Sequence, residues 1–220
     1  MAHSFASITL SAIFLSLALP ALSPWSTAAQ TAVANPKASE AFIKNLSEKA
    51  FAVLRDKSLK PADRDVKFRT LLREGFALDV IGNAVLGRHR QTATPAQLQA
   101  FQSAFPDYVI RIYASRLTDY SDTTVKITGS APVGTRGDLA IKSIVSGKSV
   151  SQPVKADWRV REIAGQGPKI IDLSLEGVSM VATQRDEFDA RIQAKGMDAL
   201  IADIKANRSG IDPKKAAAKK

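Results

Sequence analysis

At 220 residues with 45% hydrophobic side chains, the chain can bury one sizeable core, and its length favours a single domain. It has no cysteine, which excludes a disulfide framework, a thiolate nucleophile and a Cys-ligated metal site, and only two histidines, His3 and His89, for imidazole chemistry. Its 31 basic and 21 acidic residues leave a net charge of +10, which suits anionic surfaces or acidic partners.

Residues 1–29 contain no Asp, Glu, Lys or Arg, and Ile8 to Leu22 form an apolar run broken only by small residues and Pro20. That run is short for a membrane span of ~20 residues. Thr27 and Ala29 occupy the two small-residue positions before a cleavage point, although no Lys or Arg precedes the run. The segment therefore reads as a cleaved secretory signal, with an uncleaved N-terminal anchor as the alternative. The expected organisation is a signal over 1–29, a single domain over 30–210 and a basic, disordered tail over 211–220 that carries Lys214, Lys215, Lys219 and Lys220 against Asp212. An exported basic chain is placed to meet anionic membranes or acidic proteins rather than nucleic acid.

From Lys37 to Asp119 the helical period dominates. Phe42, Leu46, Ala50 and Val53 or Leu54 recur at helical spacing, with Ser39 as a plausible cap. A second helix opens on Pro61 and breaks at Gly75, and a third has Ile81 and Val85 on its inner face. Thr94, Pro95 and Gln97 form a capping box that starts a fourth, whose stripe runs through Leu98, Phe101, Phe105, Val109 and Ile112 or Tyr113, with Pro106 expected to kink or restart it.

After Tyr120 the period becomes two. Val125 and Ile127 alternate with polar neighbours, Leu139, Ile141 and Val145 share one parity, and Val154, Ala156, Trp158 and Val160 oppose Lys155, Asp157, Arg159 and Arg161. In the fourth run Ile171, Leu173 and Leu175 oppose Asp172, Ser174 and Glu176. Short glycine-bearing connections favour hairpins, so the predicted fold is α+β: a four-stranded or slightly larger antiparallel sheet with helices on one face. Gly177 turns the chain out of the last strand into a helix that carries Phe188, Ile192 and, after Gly196, Leu200 and Ile204.

Catalytic motifs are weak. Ser146 to Ser149, "SGKS", lacks the glycine a phosphate loop needs at Lys142 and sits in a strand context. "RGD" at Arg136 to Asp138 falls in a turn. His89 in "GRHR" is available as a general base, but a lone loop histidine is more often solvated. The carboxylates show no metal-ligand spacing. No cofactor and no metal are expected, and the chain reads as a binder rather than an enzyme.

Two segments carry a family likeness: "LGRHRQTATPAQLQAFQSAF" from Leu86, and "DLSLEGVSMVATQRDEFDARIQAKGMDALIADIK" from Asp172, with "EGVSM" at Glu176 to Met180 and Lys195-Gly196 followed by Asp198 and Leu200. Over roughly Ser39 to Ile204 the chain resembles the periplasmic phospholipid-shuttle family, the MlaC or toluene-tolerance proteins. The resemblance implies a soluble periplasmic carrier without a cofactor, moving lipid between an inner-membrane ABC transporter complex with its substrate-binding subunit and an outer-membrane lipoprotein complex. A related branch is associated with hopanoids, so a polycyclic lipid is the alternative cargo.

A lipid carrier needs an apolar pocket between the sheet and its helices. Parity and helical stripe nominate Ile81, Val85, Phe105, Tyr113, Ile141, Val145, Trp158, Val160, Leu173 and Met180 as its lining. Arg88, Arg90, Arg159 and Arg161 are nominated for docking to acidic partners or anionic headgroups. Two other readings stand beside this one: an enzyme acting on envelope precursors through His89 and a nearby carboxylate, and a protein-only scaffold.

Overall fold

The computed structural model describes residues 34–117 and 121–206, excepting the side chains of residue 113 and residues 115–117. The expected signal over 1–29 and basic tail over 211–220 lie outside these residues. Five helices precede the sheet: α1 (Pro36–Arg55), α2 (Pro61–Gly75), α3 (Leu78–Leu86), the single turn α4 (His89–Thr92) and α5 (Pro95–Leu117). Then come β1 (Thr124–Val133), β2 (Asp138–Ser146), β3 (Val154–Ile163), β4 (Gly167–Leu175), the two-residue β5 (Val178–Ser179) and α6 (Met180–Lys205). The strands form one antiparallel sheet in sequence order, as hairpin-length connections require.

Local signals explain most boundaries. The Thr94 backbone N–H donates to Gln97 Oε1 at 3.0 Å and the Gln97 N–H to Thr94 Oγ1 at 3.2 Å, the reciprocal capping box expected for α5. At α1 the cap is Asn35 rather than Ser39: Pro36 fixes the first helical position, Asn35 Oδ1 accepts from the Ala38 N–H, and Ser39 is buried inside the helix. Pro106 neither ends nor restarts α5, which runs unbroken from Pro95 to Leu117. The proline removes one backbone donor, but Phe101, Phe105 and Tyr108 on either side of it are all fully buried, and their packing holds the helix together.

The helices form their own core. Phe101, Phe105, Tyr108 and Phe188 pack as an aromatic group, Phe101 on Phe105 at 5.2 Å and Phe188 edge-on to Phe101 at 6.0 Å. Ile81, Val85 and Leu86 from α3 and Leu200, Ile201 and Ile204 from α6 join them. A second cluster lies between the sheet and α1, made of Ile43, Leu139, Ile141, Val160 and Ile170. Helix α1 packs along β1 and β2, while α3 and α6 reach β4. At the far end of α1 the Arg55 guanidinium donates to the Ser121 carbonyl, so the helix lies antiparallel along the edge strand.

The β4–α6 junction is built by Asp172. Glu176 and Gly177, with φ of 48° and 82°, form the two-residue turn that pairs Leu175 with Val178 and Ser174 with Ser179. Positive φ at both central positions is what a tight antiparallel hairpin needs. Ser179 Oγ then caps α6 by accepting from the Ala182 N–H, and Asp172 accepts from Ser179 Oγ at 2.6 Å and from the Val181 N–H at 3.1 Å. Inside α6 the non-helical Gly196, with φ of 80°, kinks the helix, and Leu200 and Ile204 beyond it are buried in the core.

Candidate functional site

The inner face of the sheet is largely apolar, with Ser130 and Ser143 as polar positions, and is covered unevenly. Strand register places Leu139, Val160 and Ile170 in one row and Ile141, Trp158 and Leu173 in the next. Beyond them come Ser143, Ala156 and Leu175, and at the strand ends Val125, Val145 and Val154. Leu139, Ile141, Val160 and Ile170 are buried under α1 and its neighbours. Val125, Val145, Val154, Trp158, Leu173 and Leu175 are only half-buried. The sheet thus offers a closed half and a half-open apolar half on the same face.

Two polar side chains on that face are already satisfied: Ser130, beside Ile141, donates from Oγ to Glu40 Oε1 of α1 at 2.6 Å, and Ser143 bonds within the sheet. Ser143 Oγ donates to the Ala156 carbonyl at 2.9 Å and accepts from Trp158 Nε1 at 2.9 Å. Both indole and hydroxyl spend their hydrogen-bonding capacity on each other and on the strand, which leaves the half-open area with an apolar lining. Such a surface can hold hydrocarbon.

The nominated lining residues with described side chains separate into four places. Val145, Trp158 and Leu173 come together on the half-open part of the sheet, and Ile141 and Val160 lie in the closed part. Ile81, Val85 and Phe105 pack among α3, α5 and α6 in a cluster without a sheet residue. Met180 is buried at the first turn of α6, and the side chain of Tyr113 lies outside the described residues. Val125, Val154 and Leu175 belong with the half-open group; they have the right parity, and what singles them out is their position near strand ends. A bulge between Arg159 and Val160 shifts the β4 register, so Ile170, not Ile171, sits beside Val160 on the inner face.

Of the four arginines nominated for docking, three have partners. On the outer face, Asp138 is fully buried and receives Arg159 Nε at 2.8 Å and Arg161 Nε at 2.7 Å. Burial opposes the Asp138 charge, but the hydrogen bonds from Arg161 and Arg159 and their positive charges outweigh it and hold the carboxyl below the usual range. Arg88 pairs with Asp189 at 2.9 Å, whereas Arg90 is exposed on α4. His89 is not a solvated loop residue: its ring is 16% exposed and Nε2 lies 2.6 Å from Asp189 Oδ1, joining α4 to α6. Its hydrogen bond, with the Arg88 charge, keeps the Asp189 carboxyl low against the opposing effect of desolvation.

Among the described residues no group of three His, Asp or Glu converges as a metal site, and no helix is long and apolar enough to cross a membrane.

A five-stranded antiparallel sheet with helices on one face and a partly uncovered, largely apolar floor defines the chain as an α+β protein. The chain belongs to the MlaC protein family, whose model matches residues 44–206. It is similar to the intermembrane phospholipid transport system binding protein MlaC of Haemophilus influenzae, 25% identical over 148 residues that cover 64% of this chain and 68% of that protein. Its fold is shared with a phospholipid-binding protein from Ralstonia solanacearum solved in complex with a phospholipid, with a TM-score of 0.65, 21% identity, and coverage of 81% of this chain and 98% of that one.

Proposed function

We propose that this protein is a non-enzymatic periplasmic lipid carrier that holds the acyl chains of a phospholipid against the half-open inner face of its sheet. The observation that carries the reading is the contrast within that face: Leu139, Ile141, Val160 and Ile170 are buried, while Val125, Val145, Val154, Trp158, Leu173 and Leu175 remain half-buried. Membership of the MlaC family and the phospholipid bound by the Ralstonia relative favour a phospholipid as the occupant. Enclosing methylene groups is favourable by ~0.8 kcal/mol each, so a chain of ~16 carbons represents on the order of 12 kcal/mol before ordering costs. Release therefore needs help from a receiving partner. The family name fits a shuttle between an inner-membrane ABC transporter complex and an outer-membrane lipoprotein complex, reached after removal of residues 1–29.

In this reading the headgroup stays at the solvent edge of the half-open face and Arg88, Arg90, Arg159 and Arg161 contribute to docking on acidic partners. Native mass spectrometry of the purified protein, followed by solvent extraction, tests it. A stoichiometric diacyl lipid is the expected result. A polycyclic lipid would keep the carrier and replace the cargo, and a protein that is empty and takes up no offered lipid would return the fold to a scaffold role.

A further inference from the structure

Among the five strands only one residue is aromatic, Trp158, and it stands in the middle of the inner face. Along the two central strands the register sets Val145 opposite Val154, then Ser143 opposite Ala156, then Ile141 opposite Trp158, then Leu139 opposite Val160. The floor therefore passes from a medium pair at the half-open end to the smallest pair, and from there to the bulkiest. Successive pairs are two residues apart, which puts Trp158 ~13 Å along the strand from Val154. Beyond it Leu139, Ile141 and Val160 are buried.

The indole reaches back toward the half-open end. Its Nε1 donates to Ser143 Oγ at 2.9 Å, on the neighbouring strand and one pair nearer that end, and Ser143 Oγ is anchored in turn on the Ala156 carbonyl at 2.9 Å. A diagonal cross-strand neighbour at about 7–8 Å is within the reach of an aromatic ring. Ser143 and Ala156 are accordingly 2% and 0% exposed, although neither carries a bulky side chain. Trp158 itself is half-buried and packs against the covered cluster that contains Ile141 and Val160. It closes one half of the face and borders the other.

We propose that Trp158, held by Ser143, sets the acyl-chain length this protein accepts: a chain laid along β2 and β3 from the Val145–Val154 end stops against the indole. The inference rests on the carrier reading above and adds the residue that selects among its lipids. An indole pinned at Nε1 is a wall that does not swing aside, and in a fitted hydrophobic pocket one methylene more or less changes recognition by about tenfold or more. Without the ring, the small Ser143–Ala156 strip would lie open and the apolar floor would run on toward Ile141 and Val160.

The test offers the purified protein mixed vesicles of saturated phosphatidylglycerols, from dilauroyl through dimyristoyl, dipalmitoyl and distearoyl to dibehenoyl, and identifies the bound species by native mass spectrometry. The wild-type protein should show a cut-off at the long end of the series. Trp158→Leu should move that cut-off at least one member toward longer chains, and Ser143→Ala, which frees the indole, should widen the range in the same direction. If Trp158→Leu is unfolded by far-UV circular dichroism, the Ser143→Ala profile decides alone. A purely structural part for these residues would lower occupancy for every lipid alike and leave the ratios unchanged, which would overturn the proposal, as would a shift toward shorter chains or a wild-type protein without a cut-off. A wild-type protein that takes up none of the lipids would remove the carrier reading itself and this proposal with it, whereas normal uptake with unchanged ratios in the variants removes only the part given to Trp158.

Discussion

Trp158 Nε1 donates to Ser143 Oγ at 2.9 Å across the inner face of the sheet, and that bond fixes the indole where the covered and the half-open parts of the face meet. Ser143→Ala leaves the indole N–H without its partner in a half-buried site and should cost about 1 kcal/mol. Urea unfolding measures the loss. If residues 1–29 are removed, Trp158 is the remaining tryptophan, so its emission should shift to the blue when lipid is added and report binding directly. An emission spectrum indifferent to lipid would place the cargo elsewhere.

The two halves of the sheet should answer mutation differently. Leu173→Asp or Val145→Phe should lower the lipid recovered per protein while leaving the fold intact, because both positions are half-buried. Ile141→Ala, at 0% exposure, should destabilise the domain by about 2–5 kcal/mol through the cavity it leaves. Lipid extraction and thermal unfolding on the same three variants separate occupancy from stability. Normal occupancy in a folded Leu173→Asp protein would remove that residue from the crevice.

Asp138 should make the domain acid-sensitive. Its carboxyl is held below the ordinary 3.8 by Arg161 and Arg159 in spite of its burial. A depressed folded-state value means that the unfolded chain binds the proton more readily, so the stabilisation is fully present above about pH 4 and disappears as pH falls through the folded-state value. Asp138→Asn should cost about 1.5–3 kcal/mol at neutral pH, the range for hydrogen bonds to charged groups, and flatten the pH dependence below 4. Unfolding curves from pH 2 to 7 provide the check.

Partner docking should weaken with salt, since exposed charges are screened beyond ~10 Å at 0.1 M. Arg90→Glu should slow transfer to a partner more than Arg161→Gln, because the Arg161 charge is already directed to Asp138. Transfer rates that do not change from low to high ionic strength would remove the electrostatic part of docking.

The His89–Asp189 contact gives a separate test of chemistry. If it only ties α4 to α6, His89→Ala should reduce stability and leave lipid uptake and transfer intact. Loss of a turnover activity on offered lipid, with uptake retained, would instead make the pair catalytic.

Much of this architecture was readable from residue order because it depends on local rules. The Thr94–Gln97 box, Pro61 at a first helical position, and the turn at Gly177 all act within a few residues. The errors arose where local signals compete. Ser39 lost its capping role to Asn35 because Pro36 fixes the start, and Pro106 did not restart the helix because burial of its aromatic neighbours outweighs one missing backbone hydrogen bond. At Ile170 and Ile171 a bulge changed the parity on which the inner face had been assigned. His89 looked like a loop residue because its partner, Asp189, lies a hundred positions away.

By itself the sequence determined the switch from helical to two-residue period, hence the class of fold, the antiparallel order of the strands, and the family through its short motifs. Only the tertiary structure decided which apolar residues are core and which are left half-open. Ile141 and Val145 share a strand and a parity, yet one is fully buried and the other is not. Alternation says which face of a sheet a side chain points to; whether another element covers that stretch depends on helices distant in the chain, and no local pattern encodes it.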